Sequence, residues 1–217
     1  MKGYVITIMD HPGSVACAER CIASGAEHGF EMGMWPAVSR SAVDEYRRAL
    51  DLPLGEWDQR YSDPEAVLSN FCTQHQIWRY AARQQEPAAI FEHDAIIDAP
   101  LPDVPIQRVL QIGRPSFGKF KTHRKPGVFT LFSKAGGYFP GAHAYIVTPE
   151  GAELLLEGAQ KHGAQPVDLF LSLKHFPWLQ ELSPWIAHVE ETFSTIQTKT
   201  GCLAKHQFRE GYTYLEP

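Results

Sequence analysis

Apolar positions along the chain fall into short dense runs, separated by longer stretches with three- and four-residue spacing. The first run, residues 4–9, reads as a buried strand. Ser14 suits a helix N-cap, so a helix is expected from there to about Gly29. Residues 30–35 follow as a short second strand, and 37–62 are polar and irregular, with a helix expected at 42–50. Asp63-Pro64-Glu65 combines three helix-start signals: a capping side chain, a proline in the first turn, and an acid beside the positive end of the dipole. That helix should reach about Gln85, with Val67, Phe71, His75, Trp78 and Ala82 on its buried face and Pro87 ending it. Residues 88–91 then form a short buried strand that stops at Glu92-His93-Asp94.

Pro100, Pro102 and Pro105 mark a loop, and residues 106–112 a further strand. Residues 113–140 are rich in Gly, Pro and bases, and predict a long functional loop with room for a hairpin. A strand at 144–147 leads into Thr148-Pro149-Glu150, a second helix start, with Gly163 as its stop. Residues 166–175 predict another helix and 185–189 a late strand, followed by a polar tail. Strands alternating with helices predict an α/β fold: a single domain over 1–217, with a mixed, mostly parallel sheet flanked by helices.

Composition narrows the class. A chain of 217 residues can bury a substantial core without disulfides. Cys17, Cys21, Cys72 and Cys202 show no CxxC pair. Cys17 and Cys21 lie one helical turn apart, open to a zinc pair, but reduced thiols are the plainer reading. No apolar run approaches the roughly 20 residues that span a bilayer, and the first strand is too short for a signal-peptide core. A cytoplasmic protein without a transmembrane segment is expected. The net charge of −5 argues against a general nucleic-acid binder. Yet residues 104–149 hold no acid and carry Arg108, Arg114, Lys119, Lys121, Arg124, Lys125 and Lys134. Such a basic segment suits a diphosphate or an anionic glycan, or is simply a solvated loop.

An apolar strand ending in Glu92-His93-Asp94 carries the clearest chemistry. Ligands of open α/β sheets bind beyond the carboxyl ends of strands, and residues two apart on a strand face the same way. Glu92 and Asp94 could therefore bind Mn²⁺ or Mg²⁺ together, and through it the phosphates of a nucleotide. The alternative is a pair of carboxylates in a solvated loop.

This context resembles glycosyltransferase family 25, the lipopolysaccharide-type enzymes that include collagen galactosyltransferases. Cys72, His75 and Trp78 resemble the family's Cys…Ser-His…Trp helix, and the strand ending in Glu92-His93-Asp94-Ala95 its Glu-Asp-Asp-Ala. Ala144-Tyr145-Ile146-Val147-Thr148-Pro149-Glu150-Gly151-Ala152 resembles Ala-Tyr-Leu-Ile-Ser-Pro-x-Gly-Ala, and Pro166-Val167-Asp168 its Pro-Val-Asp. Tyr4-Val5-Ile6-Thr7-Ile8 resembles the family's opening strand, and Pro184-Trp185-Ile186-Ala187-His188 through Ser194-Thr195-Ile196 its closing segment. The matches run in order over most of the chain. His93 replaces the middle Asp of the acidic triplet, and Asp10-His11-Pro12-Gly13 replaces an Arg-rich stretch.

The resemblance implies a GT-A-like (Rossmann-like) fold and a metal-assisted, inverting transfer of a hexose. The donor would be a nucleotide-diphosphate sugar, by default a UDP-sugar. The acceptor hydroxyl would belong to a glycan, a lipid-linked saccharide or hydroxylysine. It makes Asp168 the base candidate, although an acid there also suits a helix N-terminus. Glu92, Asp94 and His188 are the metal candidates, although a lone His on a late apolar strand is more often a hydrogen-bonded core or surface residue. Thr7, Asp10, His93 and His143 are placed towards the donor, with turn chemistry the alternative for the first two and a strand-edge position for His143. An inactive sugar- or nucleotide-binding homologue and a metal-dependent phosphohydrolase are the competing classes.

Overall fold

A computed structural model describes residues 1–59, 63–115, 121–122, 125–132, 138–190 and 213–214. Its strands are β1 (Lys2–Thr7), β2 (Glu31–Pro36), β3 (Ala88–Glu92), β4 (Ala95–Ile97), β5 (Val109–Gln111), β6 (Lys121–Thr122), β7 (Gly127–Thr130), β8 (Ala144–Val147), β9 (Gln180–Ser183), β10 (Ala187–Val189) and β11 (Thr213–Tyr214). Its helices are α1 (Pro12–Glu27), α2 (Val43–Ala49), α3 (Pro64–Ala81), α4 (Pro149–His162) and α5 (Val167–Phe170).

Among the described residues, seven strands form one sheet in the order β2-β1-β3-β8-β5-β9-β7. β1, β2, β3, β5 and β9 run one way, while β8 and β7 are reversed. The fold is therefore α/β with a mixed, mostly parallel sheet, as the alternation of elements predicts. Side chains two apart on a strand share a face, so Ile90, Tyr145 and Val109 turn to one side and Ala89, Phe91 and Ile146 to the other. The first side packs against α2, α3, α4 and α5. The second packs against α1 and the antiparallel ribbon of β4 and β10.

Several boundaries differ from the pattern-based expectation. The cap of α1 is His11, whose Nδ1 accepts from the Ser14 N–H at 3.2 Å; the Ser14 hydroxyl instead accepts from Ile8 N–H at 2.9 Å. α3 begins at its expected cap but ends at Ala81, short of Gln85. Arg83 and Gln84 make tighter bonds to the carbonyls of Tyr80 and Ala81, turning the chain back towards β3. The helix expected over 166–175 is confined to Val167–Phe170. Phe170, Leu171 and Phe176 are all buried, and a straight helix would not turn all three inward. β4 and β9 break the expected pattern, β9 because Glu181, a charged residue by sequence, points inward at 1% exposure. Within the basic segment, β7 pairs with β9 at the sheet edge and β6 with β11, so the two do not pair with each other as a hairpin. Cys202, the polar tail around Ser194-Thr195-Ile196, and Lys119, Arg124 and Lys134 lie outside the described residues.

Candidate functional site

β1 lies between β2 and β3, so the chain leaves β1 to one side first and returns on the other. This reversal makes the carboxyl ends of β1 and β3 a topological switch point, where open α/β sheets bind ligands. Ile6 pairs with Glu92 there. Thr7 ends β1 fully buried, its hydroxyl donating to the Val5 carbonyl at 2.9 Å and its own carbonyl accepting from Ala37 N–H at 2.8 Å. Asp10 is exposed in the next turn.

Glu92 closes β3, and His93 and Asp94 form a turn before β4. Asp94 is therefore not a strand neighbour of Glu92, yet the two carboxyls remain electrostatic neighbours. Burial first, and then Asp94, push Glu92 up to about 8; a hydrogen bond from Asn70 opposes this and Asp168 adds to it. Asp94 also faces Cys21 of α1, whose thiol burial and this carboxylate push up to about 12. Asp168 sits in the first turn of α5, where the N–H groups of Leu169 and of its own residue face its carboxyl; burial nonetheless raises it. Its carbonyl accepts from Phe139 N–H at 2.6 Å. The fold thus brings Asp94 and Asp168 each within electrostatic reach of Glu92.

The imidazoles are distributed differently. His93 is buried, and that burial, with His11 beside it, holds it down to about 4. His143 is buried and held to about 3 by burial and by His188. Its backbone carbonyl accepts from the Glu92 N–H at 2.8 Å, which ties the start of β8 to the end of β3. His188 is on β10, with Nδ1 2.8 Å from Asp98 Oδ2. Among the described residues, no three His, Cys, Asp or Glu side chains converge to hold a metal, so His188 does not complete a set with Glu92 and Asp94.

Glu92 is also held by residues to which the sequence reading gives no site role, Trp78 among them as part of the helix's buried face. Asn70 Nδ2 donates to Glu92 Oε1 at 3.2 Å, Gln74 Nε2 to Asn70 Oδ1 at 3.2 Å, Tyr145 Oη to Gln74 Oε1 at 2.6 Å, and Trp78 Nε1 to Tyr145 Oη at 2.8 Å. The sequence signal is a polar pair four residues apart, Asn70 and Gln74, on a helix with buried sides, together with a Tyr inside an apolar strand.

No family model and no curated protein matches the chain. Solved structures with a similar chain path include the CTP:phosphocholine cytidylyltransferase of Streptococcus pneumoniae, at 11% identity and a TM-score of 0.42, covering 87% of this chain and 92% of that one. A Drosophila beta-1,4-galactosyltransferase 7 mutant complexed with manganese, UDP-Gal and xylobiose is similar at 11% identity and a TM-score of 0.45, covering 97% of this chain and 82% of that one. Neither likeness identifies a family.

Proposed function

We propose that the protein is a glycosyltransferase of the family 25 type, moving a hexose from a nucleotide-diphosphate sugar, by preference a UDP-sugar, to a hydroxyl of a glycan or lipid-linked saccharide. The observation that carries this reading is that Glu92, at the carboxyl end of β3, feels both its near neighbour Asp94 and Asp168, which lies 76 residues further along the chain. Their order along the chain matches the family's acidic triplet and Pro-Val-Asp.

In this reading the acceptor oxygen attacks the anomeric carbon as the bond to the diphosphate breaks, which inverts the configuration. Asp168, half-buried and with its carboxyl raised by that burial, takes the acceptor proton. Glu92 and Asp94 are hard oxygen donors whose crowded negative charge a divalent cation would relieve. Two carboxylates plus substrate phosphates form an ordinary ligand set for Mg²⁺ or Mn²⁺. Bound there, the ion would supply charge neutralisation for the departing diphosphate. Thr7, Asp10, His93 and His143 border the donor, His93 and His143 as neutral imidazoles. His188 remains a metal candidate of this reading through Nε2, since its bond to Asp98 uses Nδ1.

Mn²⁺ with a UDP-hexose should raise the melting temperature, because a ligand of the folded state stabilises it by mass action. Asp94→Ala should abolish the rise, and an unchanged rise in that variant would remove Asp94 from the site. The replacement of the acidic triplet's centre by buried His93 favours one competing reading, a binding module without turnover. Release of UDP from the donor, with and without acceptor, separates the two.

A further inference from the structure

The bonds that end on Glu92 share one direction. An indole N–H can only donate, so the Tyr145 oxygen must accept from Trp78 at 2.8 Å. The single Tyr145 proton is then left for Gln74 Oε1, at 2.6 Å. With its oxygen committed, Gln74 turns its NH₂ to Asn70 Oδ1, and Asn70 in turn offers its NH₂ to Glu92 Oε1, each at 3.2 Å. Flipping either amide would set oxygen against oxygen or N–H against N–H. Trp78, Tyr145 and Gln74 are fully buried, so no water competes for these groups.

We propose that Trp78, Tyr145, Gln74 and Asn70 form a one-way donor chain that positions Glu92, fixing Oε1 as an acceptor and turning Oε2 towards Asp94 and Asp168. The same indole stacks on Phe170, with ring centroids 5.4 Å apart and planes 21° from parallel. Phe170 belongs to α5, the helix that carries Asp168. Trp78 therefore sets the register between Glu92 on β3 and Asp168 on α5. These four are positioning residues, because only Asn70 touches Glu92 and none is assigned to the substrate. What the positioned carboxylate then does rests on the glycosyltransferase reading; the chain of bonds does not.

Tyr145→Phe removes the polarity at its source and leaves the shape of the core. Ile146→Val, on the opposite face of β8, is the packing control. The resonances of the Asn70 side-chain amide and the Glu92 carboxyl carbon report on the chain directly. Both should move in Tyr145→Phe, although Tyr145 hydrogen-bonds neither residue, and neither should move in Ile146→Val. Unmoved resonances in folded Tyr145→Phe would overturn the proposal. If Tyr145→Phe does not fold, Gln74→Leu carries the test through the Glu92 carboxyl carbon alone, because Gln74 bonds Asn70 directly but not Glu92. In turnover of a UDP-hexose, kcat should fall about 10-fold or more with the donor KM nearly unchanged, the range found for outer partners of charged site residues. An unchanged kcat with shifted resonances would overturn the positioning role. Shifted resonances in a protein that turns over no nucleotide sugar would leave the donor chain standing and remove the glycosyltransferase reading instead.

Discussion

Glu181 shows how far one buried group departs from its sequence appearance. It is 1% exposed, and burial lifts its carboxyl to about 8, opposed by hydrogen bonds from Phe132 N–H and Trp185. Glu92 is lifted to a similar level. A carboxyl that stays protonated in the fold but ionises in the unfolded chain favours folding at low pH. For Glu181 that contribution is complete below about 4.5 and disappears as pH rises to about 8. His75, His93 and His143, held near 4, 4 and 3, act in the opposite sense, and their gain in stability with pH is complete by about 6.5. Above that point the raised carboxyls dominate, so melting temperature should fall between pH 6.5 and 8. The slope is at most about 1.4 kcal/mol per pH unit for each group. Glu181→Gln should flatten that fall in thermal melts across this range; an unaltered slope would mean that Glu181 is ionised in the fold.

At the scale of elements, capping chemistry explains why the two long helices behind the site start where they do. Asp63 Oδ1 accepts from the N–H groups of Glu65 and Ala66 at 3.0 and 3.4 Å, and Thr148 Oγ1 from Gly151 N–H at 3.0 Å. Gly151 does more than follow a cap. A Cβ there would lie 2.3 Å from the Arg108 carbonyl oxygen, so only glycine lets α4 start this close to the strand beside it. Gly151→Ala should cost about 2 kcal/mol or more, because a backbone must move. Gly33→Ala, where nothing lies within 4 Å, should change stability little. Denaturant unfolding of the two variants measures the contrast, and equal midpoints would refute the close approach. The family-like Thr-Pro-x-Gly-Ala run thus has a packing reason of its own. The starts of α3 and α4 were legible in the sequence because caps and prolines act locally. The truncation of α5 was not, since three distant core contacts bend it.

For the whole molecule, charge is the property that sequence describes best. The net −5 conceals a segment, residues 104–149, with seven bases and no acid. Replacing Lys119, Lys121, Arg124 and Lys125 together by Ala should weaken UDP-sugar or anionic-glycan binding roughly tenfold at low salt, taking about 0.2–1 kcal/mol for each ion pair lost. The loss should shrink as salt is added, and a salt-independent affinity would assign the segment no electrostatic role. Among the described residues, no helix is long and apolar enough to cross a membrane. The sequence by itself determined the α/β class, the elements that start at local caps, the apolar strand ending at Glu92 and the uneven charge. These follow from short-range periodicity and composition. The tertiary structure alone brought Asp168 towards Glu92, and joined Trp78 to Glu92 through Tyr145 and two amides. Burial also gave Glu92 and Glu181 their altered proton affinity. Each of these depends on which strands become neighbours and on the water that packing removes, and neither is written in the spacing of residues along the chain.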